Sequence, residues 1–173
     1  MKLGDAISRL DELKPNGFSR GQKIFWLSAL DSTVKEEIID RDIPILFVIF
    51  NRFDTAKQVF ERIKEVQPSK LYIAADGPRE NKVGESEKCQ QVRDLVKLID
   101  WNCEVKTLFR DKNLGCAKAV SGAISWLFEN EEMGIILEDD CLPHLDFFPY
   151  CKELLEKYKD DVREQIKEGE AWR

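Results

Sequence analysis

Three consecutive carboxylates at the end of an apolar run are the residues of this chain best suited to chemistry. The run 134–137 leads directly into Glu138, Asp139 and Asp140. Like charges held this close repel one another, and each loses hydration at the mouth of a buried strand. A hard cation such as Mg²⁺ or Mn²⁺ relieves both costs, because it takes oxygen ligands and keeps waters or substrate phosphates in its other positions. The triplet predicts a metal–diphosphate site; the alternative is a solvated acidic loop.

A second polar group follows the apolar run 45–50. Asn51 and Arg52 stand directly after that run. The Arg52 guanidinium presents five fixed donors, which suit a phosphate or a planar base. The alternative is a surface arginine that pairs with Asp54.

Two further groups stand where predicted strands give way to loops. Asp76 and Gly77 follow the run 71–75, and the Asp76 carboxylate can accept hydrogen bonds from a base N–H or from ribose hydroxyls. The alternative is an ordinary turn residue. Asn113 and Gly115 precede a predicted helix whose free N–H groups can face an anion, with a helix cap and turn as the alternative.

These polar groups need a scaffold that brings them together, and the alternation of strands and helices over residues 42–160 predicts one. Continuous apolar runs are typical of parallel strands covered on both faces, so we expect an α/β fold with helices on both faces of a mostly parallel sheet. In such sheets ligands bind at the carboxyl ends of the strands, so the polar groups should meet at one edge. The predicted strands are 45–50, 71–75, 103–109 and 133–137, and the predicted helices begin at Asp54 or Thr55 and span 85–99 and 117–128.

The two ends of the chain differ from this central part. Residues 1–41 carry apolar side chains at helical spacing, broken by a Pro-Asn-Gly turn signal, and predict a helical hairpin. Residues 161–173 are highly charged and predict a solvated tail or an extension of the preceding helix.

Composition narrows the class of protein. The chain has 173 residues, of which 43% are hydrophobic and 35% charged, as in an ordinary globular protein. A net charge of −6 argues against nucleic acid as a partner, since phosphate backbones require a basic surface. No apolar run approaches the roughly 20 residues that span a bilayer. The five cysteines follow no disulfide framework, and we expect reduced thiols and a cytoplasmic location.

Three strings in order give the central part a resemblance to a known family. They are the run 45–50 with Asn51 and Arg52, the sequence Ala-Ala-Asp-Gly that ends at Gly77, and Ile-Ile-Leu-Glu-Asp-Asp that ends at Asp140. Over about residues 43–160 the chain resembles a GT-A glycosyltransferase of the N-acetylglucosaminyltransferase I type and its bacterial sugar-transferase relatives. Neither a P-loop nor a Gly-x-Gly-x-x-Gly motif is present, which disfavours the commoner nucleotide-binding folds.

The resemblance implies a Rossmann-like sheet that binds a nucleotide-diphosphate sugar, with a UDP-sugar as donor and Mn²⁺ or Mg²⁺ as cofactor. It implies that Arg52 and Asp76 hold the nucleotide, that Asp140 ligates the metal, and that Asp139 faces the sugar or ribose. The cation would act as a Lewis acid on the departing diphosphate while a glycan or protein acceptor attacks the sugar.

The same resemblance implies an acceptor-binding half after the acidic triplet. Only residues 141–173 follow Asp140, so we expect a truncated, donor-binding half, and we assign no general base for the acceptor hydroxyl. Residues 1–41 resemble the N-terminal helices of prophage head–tail connector-type proteins. The alternative function is therefore a non-catalytic assembly or interaction module with a degenerate site, which would bind a protein partner through this hairpin.

Overall fold

The computed structural model describes residues 41–159, and the predicted N-terminal hairpin and C-terminal tail fall on residues outside this range. Four strands and four α-helices alternate along the described chain. They are β1 (Ile45–Ile49), α1 (Phe53–Val66), β2 (Lys70–Ala75), α2 (Glu85–Arg93), β3 (Glu104–Phe109), α3 (Cys116–Phe128), β4 (Ile135–Glu138) and α4 (Phe147–Tyr158). This confirms the predicted α/β class.

The four strands form one parallel sheet in the order β3-β2-β1-β4. Ile45 of β1 lies opposite Leu71 of β2 on one side and opposite Ile135 of β4 on the other. A shift of one residue in either pairing would turn a buried side chain to the opposite face, so the apolar pattern holds this register.

Alternate residues of the strands build two apolar clusters, one on each face of the sheet. On the first face, Phe47 packs with buried residues of α1, among them Val59 and Ile63, and with Phe148 of α4. On the second face, Leu46, Tyr72 and Ala74 pack with Ala123 and Leu127 of α3. Burying one such large apolar side chain contributes about 1.5–3 kcal/mol, so the sheet is held from both sides.

Helix α1 shows how the sequence specifies the local structure. Its buried residues recur at helical spacing, and Gln67 ends it in a left-handed conformation just before Pro68. The predicted start at a cap of Asp54 or Thr55 is wrong, because the carbonyl of Arg52 already accepts the amide of Ala56 at 3.0 Å. The helix therefore begins directly after Arg52, which fixes the backbone of that residue.

Two other elements differ from prediction by more than a shift of one residue at one end. The predicted helix 85–99 is an α-helix only as far as Arg93, and Asp94–Leu98 form a 3₁₀ turn. The last strand begins two residues later than predicted and ends at Glu138 instead of Leu137, because Glu138 still pairs with Val48 of β1. Glu138 is thus the final residue of β4, whereas Asp139 and Asp140 follow it.

No helix of the described part of the chain is both long enough and apolar enough to cross a bilayer.

Candidate functional site

The loops that follow β1 and β4 are neighbours at the carboxyl end of the sheet, where the chain changes the side of β1 on which it adds strands. From β1 the chain builds β2 and β3 on one side, and it then returns to the other side of β1 to form β4. In open parallel sheets, ligands bind in the crevice outside the carboxyl ends of the strands at such a switch point. Arg52 follows β1, and Asp139 and Asp140 follow β4, so the loops that carry them lie side by side at these strand ends.

Arg52 bridges both aspartates of the acidic triplet. Its Nη2 donates to Asp139 Oδ1, and its Nη1 donates to Asp140 Oδ2 at 2.8 Å. The second oxygen of Asp139 accepts the backbone amide of Phe50 at 3.2 Å. This group, here named the switch-point cluster (Arg52, Asp139 and Asp140), joins the two strand ends that the sequence analysis predicted would meet. Arg52 does not take the alternative partner, Asp54.

The members of the switch-point cluster differ in exposure. Asp139 is only 3% exposed, whereas the side chains of Arg52 and Asp140 are 51% and 45% exposed. The hydrogen bond to Asp139, opposed in part by burial, raises the pKa of Arg52. Asp140 Oδ1 has only a weak contact at 3.7 Å from the Cys141 thiol, so this carboxylate oxygen has acceptor capacity to spare.

A second ion pair supports the end of β1 from the neighbouring loop. Glu85, at the start of α2, is 4% exposed and accepts the backbone amide of Arg79 at 2.7 Å as well as three contacts from its guanidinium. It also accepts the amide of Asn51 at 3.0 Å. Hydrogen bonds from the Arg79 side chain, opposed by burial, lower the pKa of Glu85 to about 2. Asn51 is thereby held in place by a carboxylate and does not point freely at a ligand.

Arg79 also lies over the ring of Phe50, with its guanidinium carbon 5.6 Å from the ring centre. Neither Arg79 nor Glu85 was predicted to be part of the site. Arg79 precedes a helix and Glu85 lies in its first turn, and charged residues at such positions are ordinary surface features. The only signal was that both residues fall in the segment that follows Asp76 and Gly77 and leads into α2.

Asp76 is buried among backbone amides. The residue is 7% exposed. Its carboxylate accepts hydrogen bonds from the backbone amides of Gly77, Leu114 and Gly115 at 3.0–3.1 Å. A carboxylate has about four lone-pair positions, and these three N–H groups make four contacts with it. Asp76 therefore ties the end of β2 to the loop before α3, and its predicted role toward a nucleotide stays a prediction.

Gly77 and Asn113 complete this connection. The Asn113 amide donates to the Gly77 carbonyl at 2.8 Å. A side chain on Gly77 would lie 2.4 Å from the backbone carbon of Lys112, so only glycine permits the two loops to approach this closely. We name this group the loop clasp (Asp76, Gly77, Asn113, Leu114 and Gly115). Its side chains hold protein groups, in keeping with the cap-and-turn alternative for Asn113 and Gly115.

Four other charged or titratable side chains near the strand ends make no described contact with the switch-point cluster. Glu138 is exposed at the end of β4. Lys112 and Lys118 are exposed as well, and His144 contacts Asp146 with its Nδ1 3.2 Å from Oδ2. None of these four has a described hydrogen bond to the cluster.

Whether the site can hold a cation depends on which oxygen, nitrogen and sulfur ligands lie together. Within residues 41–159 no group of three or more His, Cys, Asp or Glu side chains is arranged to hold a metal ion. Mg²⁺ does not require such a group, because it is commonly bound by one or two carboxylates together with waters and substrate phosphates. Asp140, with a carboxylate oxygen that has acceptor capacity to spare, fits that more open kind of site.

Comparison with models of protein families, with curated proteins and with solved structures finds no match to this chain. What the chain binds must therefore be inferred from the geometry of the strand ends and from the chemistry of the residues there.

Proposed function

We propose that this chain binds a nucleotide-diphosphate sugar, with a UDP-sugar as the donor, as the donor-binding domain of a GT-A glycosyltransferase that transfers the sugar to a glycan or protein acceptor. The observation that carries the proposal is the switch-point cluster. It joins the guanidinium of Arg52 and the carboxylates of Asp139 and Asp140 at the carboxyl ends of parallel strands, which is where such sheets bind nucleotides.

The charges of the cluster suit a diphosphate and a divalent cation together. Asp140 supplies the exposed carboxylate for Mn²⁺ or Mg²⁺, and Arg52 supplies paired N–H donors for phosphate oxygens. When bound, the cation supplies Lewis-acid stabilisation of the leaving diphosphate. Asp139, held by the amide of Phe50, keeps Arg52 directed at the crevice. Asn51 and Glu85 fix the loop that carries these groups.

In the proposed complex the nucleoside of the donor binds next to the loop clasp. Asp76 follows the strand next to β1, so its loop borders the crevice on the side away from β4. Gly77, Asn113 and Gly115 form that border through backbone groups. In the proposed complex they determine the shape of the pocket for the nucleotide base. Glu138 ends β4 beside the metal position.

The proposal is tested by calorimetric titration of the full chain with UDP in the presence and absence of MnCl₂. We expect binding that depends on the metal, and we expect Asp140→Asn to weaken it at least tenfold, which corresponds to about 1.4 kcal/mol. Glu132→Gln is the matched control, because it removes one exposed carboxylate before β4 begins, at the opposite end of that strand from Asp140.

Two results would contradict this assignment. If the native chain binds no UDP with the metal present, the non-catalytic assembly module becomes the better account of the chain. If UDP binds and Asp140→Asn binds it equally well, the metal ligand has been misassigned.

A further inference from the structure

We propose that Arg52 makes cation binding conditional on the diphosphate. In the free protein its guanidinium occupies the carboxylate that the cation would use, and it moves to the phosphates when cation and diphosphate arrive together. This inference rests on the proposed function and concerns the regulation of the same site.

The two arms of Arg52 are held unequally. The arm to Asp139 ends on a carboxylate whose side chain is 4% exposed and which is also fixed by the Phe50 amide. The arm to Asp140 joins two side chains that are each about half exposed. Exposed ion pairs contribute little because water competes for both partners, so the Asp140 arm is the one that opens first.

The backbone of Arg52 is fixed while its side chain has room to move. Its carbonyl accepts the amide of Ala56 at 3.0 Å and the hydroxyl of Thr55 at 3.2 Å, which anchors the residue at the start of α1. A change at the site therefore requires only a new rotamer of a long, half-exposed side chain, and no movement of the sheet or helix.

Electrostatic repulsion decides whether Asp140 stays paired with the Arg52 guanidinium or binds a cation. A cation that binds Asp140 alone, even through Oδ1, lies within a few ångströms of the guanidinium that holds Oδ2, so two positive charges face each other. A diphosphate removes this cost, because its oxygens accept the freed N–H donors and lie between the two positive groups. Arg52 should therefore oppose binding of the cation alone and favour binding of the nucleotide.

The variant Arg52→Gln separates these two effects because they have opposite signs. Binding of Mn²⁺ alone is followed by the electron paramagnetic resonance signal of the free ion, and binding of UDP is then measured at saturating Mn²⁺. We expect the variant to bind Mn²⁺ alone about tenfold more tightly and UDP about tenfold more weakly, a change of about one decade in each constant. Lys57→Gln, which removes an exposed positive charge from α1, should change neither.

Arg52→Lys is the second variant and serves also if Arg52→Gln does not fold. It keeps the charge but cannot bridge two carboxylates with one planar fork, so Mn²⁺ affinity should rise by a smaller factor and UDP affinity should still fall. The inference is wrong if UDP binds and the Arg52 variants leave Mn²⁺ affinity unchanged or lower it. If the native chain binds neither Mn²⁺ nor UDP, both the proposed function and this inference are wrong.

Discussion

The loop clasp and the switch-point cluster both place a buried aspartate just after a strand of the same sheet, yet they satisfy it differently. Asp76 accepts three backbone N–H groups that belong to the fold itself. Asp139 accepts one backbone amide and the guanidinium of Arg52, a half-exposed side chain. The partners of Asp76 cannot leave without moving a loop, whereas the guanidinium on Asp139 belongs to a half-exposed side chain whose second arm, on Asp140, is open to water and to a ligand.

This difference separates a structural carboxylate from one suited to binding. Buried carboxylates satisfied by main-chain donors stabilise the connection that those donors form. Carboxylates satisfied by a mobile cationic side chain leave a site in which one cation can replace another. We therefore expect the loop clasp to govern the stability of the fold and the switch-point cluster to govern binding.

The largest expected effect is on the loop clasp. Asp76→Ala leaves three N–H groups without their acceptor and should lower the free energy of unfolding by about 3 kcal/mol. Urea denaturation of the full chain measures this value. Asp111→Ala, which removes an exposed carboxylate from the loop that the clasp joins, should change it by less than about 0.5 kcal/mol. Equal effects of the two substitutions would show that the contacts of Asp76 do not hold the loops.

Gly77→Ala tests the close approach of the same two loops. The added methyl group would lie 2.4–2.7 Å from backbone atoms of Asp111 and Lys112, so one loop must shift. We expect a loss of about 2 kcal/mol in the free energy of unfolding.

Gly122→Ala on α3 is the control for this substitution. Its methyl group would meet only the end of the Arg110 side chain at 2.9 Å, which can turn aside, and alanine favours the helix. The loop clasp would lose its assigned role if Gly77→Ala were as mild as this control.

Glu85 lies between the two regions, and its effect depends on pH. Its pKa of about 2 in the folded protein is below its ordinary value of 4.5, so the carboxylate stabilises the fold at neutral pH. That contribution is complete above its ordinary pKa and is lost as the pH falls from about 4.5 toward about 2.

The variant Glu85→Gln should therefore be less stable than the native chain at neutral pH, and the difference should shrink as the solution is acidified below about pH 4.5. Urea denaturation at a series of pH values gives the difference, with Glu80→Gln on the neighbouring exposed turn as the control. A difference that stays constant with pH would mean that the Glu85 pair is not formed in solution.

The sequence predicted the elements well because three of the four strands are strong apolar signals, whereas β3 alternates apolar and polar residues. The runs before Asn51, Asp76 and Glu138 are apolar and lie between polar segments, so their type and rough position followed from the local pattern alone. The convergence of Arg52 with Asp139, which are 87 residues apart, followed from the rule for parallel strand ends.

What the sequence did not predict depends on contacts between loops. Asp76 meets Leu114, 38 residues later, and no local pattern marks that pairing. Glu85 and Arg79 read as ordinary surface charges until the fold places them beside Asn51. The same local pattern, an acid after an apolar strand, thus describes both Asp76 and Asp139, and only the tertiary contacts tell the two carboxylates apart.

The central claim is that the crevice between β1 and β4 holds the metal and diphosphate. The most direct test is to follow the backbone amide resonances of the isotope-labelled full chain while UDP and Mg²⁺ are added. The account predicts that the largest shifts fall on residues 50–53 and 138–141, and that Asp140→Asn needs at least tenfold more UDP to produce them. An unchanged spectrum, or shifts confined to other parts of the chain while these two segments stay constant, would contradict it.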